Sequence, residues 1–361
     1  MSVAQIGVRE APESRPLVSL VLPAYNEAAI VERNLEKLCR FMAGLESEYR
    51  WEIVLVNDGS TDATGALAQQ FARTHPQVTV LHHPANFGMG QALISGFKFC
   101  RSDYVITLDL DLSFAPDHIP AMLKAIRETR ARIVVASPFA KGGRISHVPW
   151  SRKLMSVWAN RFLARAANAG FSSVTGVGRA YDGRFLRALN LKSTGMDINP
   201  EIIFKAIMLR ARIVEIPAHL DWQEQVAVGA ARKSKMRIAR HIGSVLLSGF
   251  LFRPAHFFLL PGLALMAFAI YVNAWMFIHW WDAFAQLAEY TWFLDRASVA
   301  VGMAYRAFPH TFVVGGISLL ASIQLICYGV LSLQQKKYFE ELFHLGTTIN
   351  LQLLEDESKQ P

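Results

Sequence analysis

Cysteine is scarce and scattered: Cys39, Cys100 and Cys327 lie far apart in the chain, so no disulfide framework is encoded and the usage suits a reducing cytosol. Residues 1–16 are polar, carry Glu10 and Glu13 and hold no apolar run; they read as a flexible leader with no secretory signal. Zinc-like spacing and recognisable nucleic-acid-binding motifs are also missing, so the net charge of +8 is not taken to mean a nucleic-acid partner. Charge itself is thin. Only 18% of residues are charged against 52% hydrophobic, and the apolar excess follows Phe250, which fits one soluble domain plus a membrane part better than two soluble domains.

Residues 257–281 contain no Lys, Arg, Asp or Glu, enough for about 37 Å of helix against a hydrocarbon core of roughly 30 Å. This stretch ends in Trp280 and Trp281, an interfacial signature, and residues 308–333 form a second uncharged run. Two transmembrane helices are expected. Bases cluster before the first (Arg232, Lys233, Lys235, Arg237, Arg240, Arg253) and after the second (Lys336, Lys337), whereas the stretch between has only Arg296 and Arg306. The asymmetry assigns residues 282–307 to a non-cytosolic loop, and the large domain and the tail, 334–361, to the cytosolic side. The basic residues also mark 232–256 as a juxtamembrane amphipathic segment suited to anionic lipid. Residues 150–165 place Trp150, Leu154, Val157, Trp158 and Phe162 on one helical face, a stripe that suits either a protein core or a membrane surface.

Between 17 and 231 short apolar runs alternate with helix-period segments, the pattern of a mostly parallel sheet covered by helices on both faces. Ligands of such sheets sit at the carboxyl ends of the strands. There the polar residues gather: Pro23 to Glu27 after the first strand, Asn57 to Asp62 after the second, Asp109 to Ser113 after the fourth.

Asp109 and Asp111 are one residue apart at the end of an apolar run. Strand alternation puts them on one face about 6–7 Å apart, where they repel by roughly 2–3 kcal/mol, an expense most simply offset by a hard divalent cation and substrate phosphates. In Asn57-Asp58-Gly59-Ser60-Thr61-Asp62, Ser60 or Thr61 suits a helix cap and Asp62 its first turn; Asp58, before a glycine, suits a base or ribose. Tyr25 and Glu27 add an aromatic face and a carboxylate at the neighbouring strand end, although Asn26 and Glu27 also fit a cap and a first-turn acid. The glycines of Asn86-Phe87-Gly88-Met89-Gly90-Gln91 are read as letting backbone approach a nucleotide; the full dinucleotide fingerprint is absent and the loop follows the wrong strand.

Taken together, P-A-Y-N-E, N-D-G-S-T-D, N-F-G-M-G-Q-A and L-D-L-D-L-S, in this order, resemble the family 2 glycosyltransferases of GT-A fold. The order continues through Gly142-Gly143-Arg144, Trp150-Ser151-Arg152 with Ser156 and Asn160, Glu201, and Ser234-Lys235. That longer pattern, over about residues 17–252, is similar to the dolichyl-phosphate and polyprenyl-phosphate sugar synthases. The resemblance implies that Pro23, Tyr25, Glu27, Asp58 and Gly88 hold the donor nucleotide and that Asp109, Asp111 and Ser113 serve Mg2+ or Mn2+ and the diphosphate. By the same resemblance Arg152 and Lys235 meet phosphates, and Asp111, Arg152 and Lys235 carry catalysis; a phosphate acceptor needs cations, for which Arg152, Lys235 and Arg179 are candidates, Arg179 being as well read as a solvated or lipid-facing charge. Ser113 stands where these enzymes often have Gln, and Ser173-Val174-Thr175-Gly176 where many have an Asp-Pro-Thr-Ser-like run, which removes a carboxylate near the acceptor. A lipid monophosphate tolerates that loss, because its second pKa near 6 leaves it substantially ionised at neutral pH.

The expectation is therefore a membrane-bound, metal-dependent, inverting glycosyltransferase, located in the inner membrane if bacterial. It moves one sugar from a UDP- or GDP-linked donor to a polyprenyl phosphate at the cytosolic face, and the resemblance allows for a homo-oligomer. Two alternatives stand beside it: a transferase acting on a lipid hydroxyl or glycan, and a catalytically silent nucleotide-binding membrane scaffold. Trp222-Gln223-Glu224-Gln225 lacks the Arg-Trp expected of a chain-extending synthase.

Overall fold

The structure, a computed structural model, describes residues 15–167, 170–223, 254–289 and 292–357. Two compact units divide the chain, Met1–Gly249 with His344–Pro361, and Phe250–Phe343; each is taken by itself. The first opens with β1 (Leu17–Ala24), α1 (Val31–Ala43), β2 (Arg50–Asn57), α2 (Thr64–Thr74), β3 (Val78–His82), α3 (Met89–Phe99), β4 (Tyr104–Thr107) and α4 (His118–Thr129). It continues through β5 (Ile133–Ser137), β6 (Arg144–Ser146), α5 (Trp150–Ala167), β7 (Arg179–Asp182), α6 (Gly183–Ala188), α7 (Ile198–Met208), β8 (Ile213–Pro217) and β9 (His219–Asp221).

Seven strands form one sheet in the order β3-β2-β1-β4-β7-β5-β8, while β6 and β9 pair in a small second sheet. Only β7 runs antiparallel to its neighbours, β4 and β5. The mostly parallel sheet of a GT-A domain is thus present. Alternation along β1 explains the layers. Val18, Leu20, Leu22 and Ala24 join Leu35, Leu38 and Met42 of α1 and Ile119, Met122 and Ile126 of α4 in one apolar core. Val21 faces the other way, onto α3, at Gly96; a Cβ there would lie 2.4 Å from the Val21 Cγ1, so the helix seats closely only because that residue is glycine. Chain order reverses between β1 and β4, and that switch point opens a crevice at the carboxyl ends of the strands.

One expectation is corrected. β4 ends at Thr107, so Asp109 and Asp111 do not alternate along a strand. They sit in a turn closed by a 3.0 Å bond from the Leu112 N–H to the Asp109 carbonyl, with Leu112 in the left-handed region at φ 53°.

The second unit is built from α8 (Pro254–Gln286), α9 (Phe293–Ala307) and the first part of α10 (Pro309–Glu357). α8 and α10 are long and apolar enough to cross a membrane, and only 17% and 22% of their most apolar windows are buried. They meet through small residues. The Asn273 amide donates to the Gly315 carbonyl at 3.1 Å, and a Cβ on Gly329 would lie 2.6 Å from Leu259. Residues 282–307, the connection between them, contain α9, whose Arg296 donates to the Phe284 carbonyl at 2.9 Å and lies 4.1 Å over the Phe284 ring. That charge therefore satisfies the end of α8. Past residue 333 the chain continues as helix to Glu357.

Candidate functional site

The loops after β1 and β2 are fastened to each other. The Asn26 N–H donates to Ser60 Oγ at 3.0 Å, the Glu27 N–H to Thr64 Oγ1 at 2.7 Å, the Ala28 N–H to Asp62 Oδ2 at 3.1 Å, and the Thr61 N–H to Asn26 Oδ1 at 2.8 Å. Asn26 adopts φ 55°, a conformation asparagine tolerates. The hydroxyls of Ser60 and Thr61 are therefore not helix caps; Asp62 meets the start of α2, accepting from the Thr64 N–H at 2.9 Å. Burial alone would push the Asp62 carboxyl up, but the bonds from Thr64 and Ala28 outweigh it and hold the group below the usual carboxylate range. Beside this clasp Tyr25 is exposed, Pro23 half-buried and Glu27 almost wholly buried.

Asp58, 3% exposed, binds the third loop. Its Oδ1 accepts from the Phe87 N–H at 3.0 Å and lies 2.8 Å from His83 Nδ1; its Oδ2 accepts from the Gly88 N–H at 2.8 Å. His83 Nε2 is in turn 2.9 Å from Ser95 Oγ on α3. A carboxylate offers about four acceptor positions, so these three partners leave Asp58 room for one more. The glycines of this loop make a close approach to protein backbone. A Cβ on Gly88 would lie 2.6 Å from the Thr194 carbonyl oxygen, and one on Gly90 2.3 Å from that of Ser193, so both glycines admit the backbone of the 193–195 loop. The 193–195 loop they admit is anchored by Glu201, which accepts from the Ser193 N–H at 2.7 Å and pairs with Lys205 at 2.5 Å.

In the turn after β4, Asp111 is buried and accepts from the Ser113 N–H at 3.0 Å, while Asp109 is half-buried. Asn34 of α1 donates to the Leu110 carbonyl at 2.9 Å and fixes the turn against the helix layer. Ser113 is itself buried, and its carbonyl accepts from the Asp221 N–H at 2.9 Å; its visible part is to shape the turn. No group of three or more His, Cys, Asp or Glu able to hold a metal occurs among the described residues. Two hard carboxylates in one turn fit Mg2+ or Mn2+, which take one or two carboxylates and complete their shells with water and substrate phosphates.

On the far side of this turn β9 carries Asp221 and is followed by Trp222, over whose ring the Arg152 guanidinium lies at 5.3 Å. Arg152 is half-exposed on α5, beside exposed Trp150, Leu154 and Trp158. Arg179 is elsewhere. It is completely buried, donating to the Asn199 carbonyl at 3.1 Å and the Val174 carbonyl at 2.5 Å, and burial pulls its pKa down. It ties the 173–176 loop to α7 and does not face a lipid phosphate. That loop is also held by Asn160, whose side-chain oxygen accepts from the Val174 and Thr175 N–H groups at 2.7 and 3.1 Å. Lys235 and the basic cluster around it lie outside the described residues.

Sequence reading missed His83, His147, Asp221 and the 193–195 loop. His83 follows the end of β3, so its strand-end position was a usable signal; the other three depend on contacts distant in sequence.

A mostly parallel sheet with carboxylates at its switch point fits an α/β domain of GT-A type. The model of glycosyl transferase family 2 matches residues 19–188. An undecaprenyl-phosphate mannosyltransferase from Micrococcus luteus is 31% identical over 207 residues, covering 55% of this chain and 82% of that one. A polyprenol monophosphomannose synthase from Mycolicibacterium smegmatis is 29% identical, over 57% of this chain and 77% of that one. Among solved structures, a mannosyltransferase from Pyrobaculum calidifontis in complex with GDP-Man and Mn2+ aligns with a TM-score of 0.44 at 18% identity, covering 94% of this chain and 88% of that one. The chain belongs to glycosyltransferase family 2 and is similar to polyprenyl-phosphate sugar synthases of that family.

Proposed function

We propose that this glycosyltransferase moves one sugar, with inversion, from a UDP- or GDP-linked donor to a polyprenyl phosphate at the cytosolic face of a membrane that α8 and α10 cross. The observation that carries this reading is the Asp109–Leu112 turn, with its two carboxylates between the nucleotide-side loops and the Arg152–Trp222 edge. Asp109 and Asp111 supply the protein ligands for Mg2+ or Mn2+, which when bound offers Lewis-acid stabilisation of the departing diphosphate. Tyr25 and Glu27 border the donor, and Asp58 holds the loop beside it. Arg152, with Lys235, receives the acceptor phosphate. Like charges must be brought together in this reaction, so cations there act on approach as well as on binding.

The acceptor follows from chemistry. An alcohol needs a base to become a nucleophile, whereas a lipid phosphate arrives ionised. The curated relatives named above act on undecaprenyl or polyprenol phosphate by name, which supports the same class here. A panel of UDP- and GDP-sugars with undecaprenyl phosphate and Mg2+ or Mn2+, read by mass spectrometry of the lipid, should give one glycosylated lipid phosphate. Glycosylation of a lipid alcohol with none of the phosphate would reject the acceptor assignment, and turnover unaffected by chelators would reject the metal.

A further inference from the structure

The second unit carries a helix that the chemistry above does not use. α9 has three distinct sides. Ala300 and Ala304 are buried in a small apolar cluster with Ala283 of α8, and Arg296, on the same side, donates to the Phe284 carbonyl at 2.9 Å. A second row, Leu294, Val301 and Tyr305, falls at i, i+7 and i+11, one stripe of a helix with 3.6 residues per turn, and is 68%, 45% and 48% exposed. Asp295, Ser298 and Arg306 take the third side, and all are exposed. Apolar and polar exposure is thus segregated, as on a helix at the boundary between two solvents.

Two contacts fix how α9 lies on α8. Arg296 reaches Phe284, while Phe308, directly after α9, stacks on His279 with ring centroids 3.7 Å apart. The helical rise from 296 to 308 is about 18 Å, against about 7.5 Å along α8 from 284 to 279. α9 therefore crosses α8 steeply instead of running back beside it. A spanning helix tilted about 20° from the bilayer normal then leaves α9 closer to the membrane plane than to the normal. The Tyr305 ring meets that of Phe312, in the first turn of α10, edge-on at 5.5 Å. The apolar row is on the side from which α10 enters the membrane.

We propose that α9 is an interfacial helix whose partner is the phospholipid surface of the leaflet in which α8 ends and α10 begins. This rests on the reading that α8 and α10 cross a membrane. Leu294, Val301 and Tyr305 seat at the boundary of headgroups and acyl chains, and Asp295, Ser298 and Arg306 face water. Lipid is the occupant because the row joins surfaces that lipid covers. Phe277 and Trp281, at the end of the uncharged run of α8, are 55% and 56% exposed, and Val313 and Ile317 on α10 are 48% and 65% exposed. Trp281 and Trp292, the latter 70% exposed, supply indoles, which favour this depth. Because Arg296 locks α9 to α8, the surface helix sets the depth of the helix pair together with the span length.

The test uses the full chain in lipid vesicles, with Cys327→Ser so that the buried Cys39 and Cys100 are the remaining native thiols. A polarity-sensitive fluorophore is attached singly at Leu294→Cys, Val301→Cys, Ser298→Cys and, as the mid-span reference on α8, Ile270→Cys. It is quenched by doxyl lipids labelled near the headgroup or deep in the acyl chain, or by aqueous iodide. Labels at 294 and 301 should be quenched about threefold more by the shallow lipid than by the deep one, the 298 label chiefly by iodide, and the 270 label by the deep lipid. If the 270 label answers to the deep lipid while 294 and 301 answer only to iodide, α9 stands off the bilayer and the proposal is overturned. Labels at 294 and 301 that escape both quenchers overturn it too, since a second copy or another protein then covers the row. A 270 label untouched by either lipid overturns the spanning reading itself, so the two failures are distinguishable. Thermal unfolding of each labelled variant checks the fold, and the two row positions carry the test independently.

Discussion

Asp58→Asn probes whether the nucleotide side of the site is assembled by one buried carboxylate. Asp58 accepts from two backbone N–H groups, of Phe87 and Gly88, on different oxygens, and lies 2.8 Å from His83. Asparagine has the same shape but a single acceptor oxygen, so in either amide orientation one N–H of the 87–88 loop faces an NH2 group. A hydrogen bond to a charged group contributes about 1.5–3 kcal/mol, and leaving a buried donor without a partner costs about 1–3 kcal/mol. A net loss of about 2–3 kcal/mol is expected. Expressed entirely in ordering of this loop, it raises the KM of the nucleotide sugar by roughly 30–150-fold, while kcat at saturating donor falls far less because the Asp109–Leu112 turn is untouched. Steady-state kinetics over a donor series at saturating lipid phosphate, with thermal unfolding in the same detergent, measure both effects. A D58N protein with wild-type donor KM and an unchanged melting temperature would refute the claim that this carboxylate holds the loop.

Asp111→Asn can still accept from the Ser113 N–H but removes one of two charges. At about 4 kcal/mol per unit-charge pair near a protein surface, transfer should fall about 1,000-fold with the fold retained by circular dichroism, and a rate within tenfold of wild type would remove the metal role. Gly90→Ala places a Cβ 2.3 Å from the Ser193 oxygen and 2.6 Å from that of Gly195; backbone must move, and a destabilisation of about 1–3 kcal/mol should appear as a lower denaturation midpoint. Burial raises the Glu201 carboxyl, but bonds from Lys205 and Ser193 outweigh it and hold it below the usual range. Its stabilising contribution is therefore complete above the unfolded value near 4.3 and is lost as pH falls through the lower folded value. Glu201→Gln should be less stable than wild type by about 2 kcal/mol at pH 7, with the gap closing toward pH 3; a gap of constant size would refute the assignment.

What the sequence made legible was periodicity and strand ends; what it hid was which partner each polar group chooses. The runs at Val18, Ile53 and Tyr104 give strands, and the polar motifs fall after them, because alternation and burial are local properties. For Asp109 and Asp111 strand periodicity extends the strand four residues beyond Thr107, where the structure ends it, and the left-handed Leu112 that closes the turn has no composition cue. Gly88 and Gly90 show the same limit. A glycine announces a close approach, but the approaching group, the 193–195 backbone, is about a hundred residues away in sequence. Arg179 gives the sharpest case. As text it is a base near the acceptor loop; its place on β7, the one reversed strand in a central sheet, turns it into a buried tie between Val174 and Asn199. Removing Lys or Arg from surface positions of the acceptor side should then change the salt dependence of lipid-phosphate binding, whereas Arg179→Met should leave that dependence intact and act on stability alone.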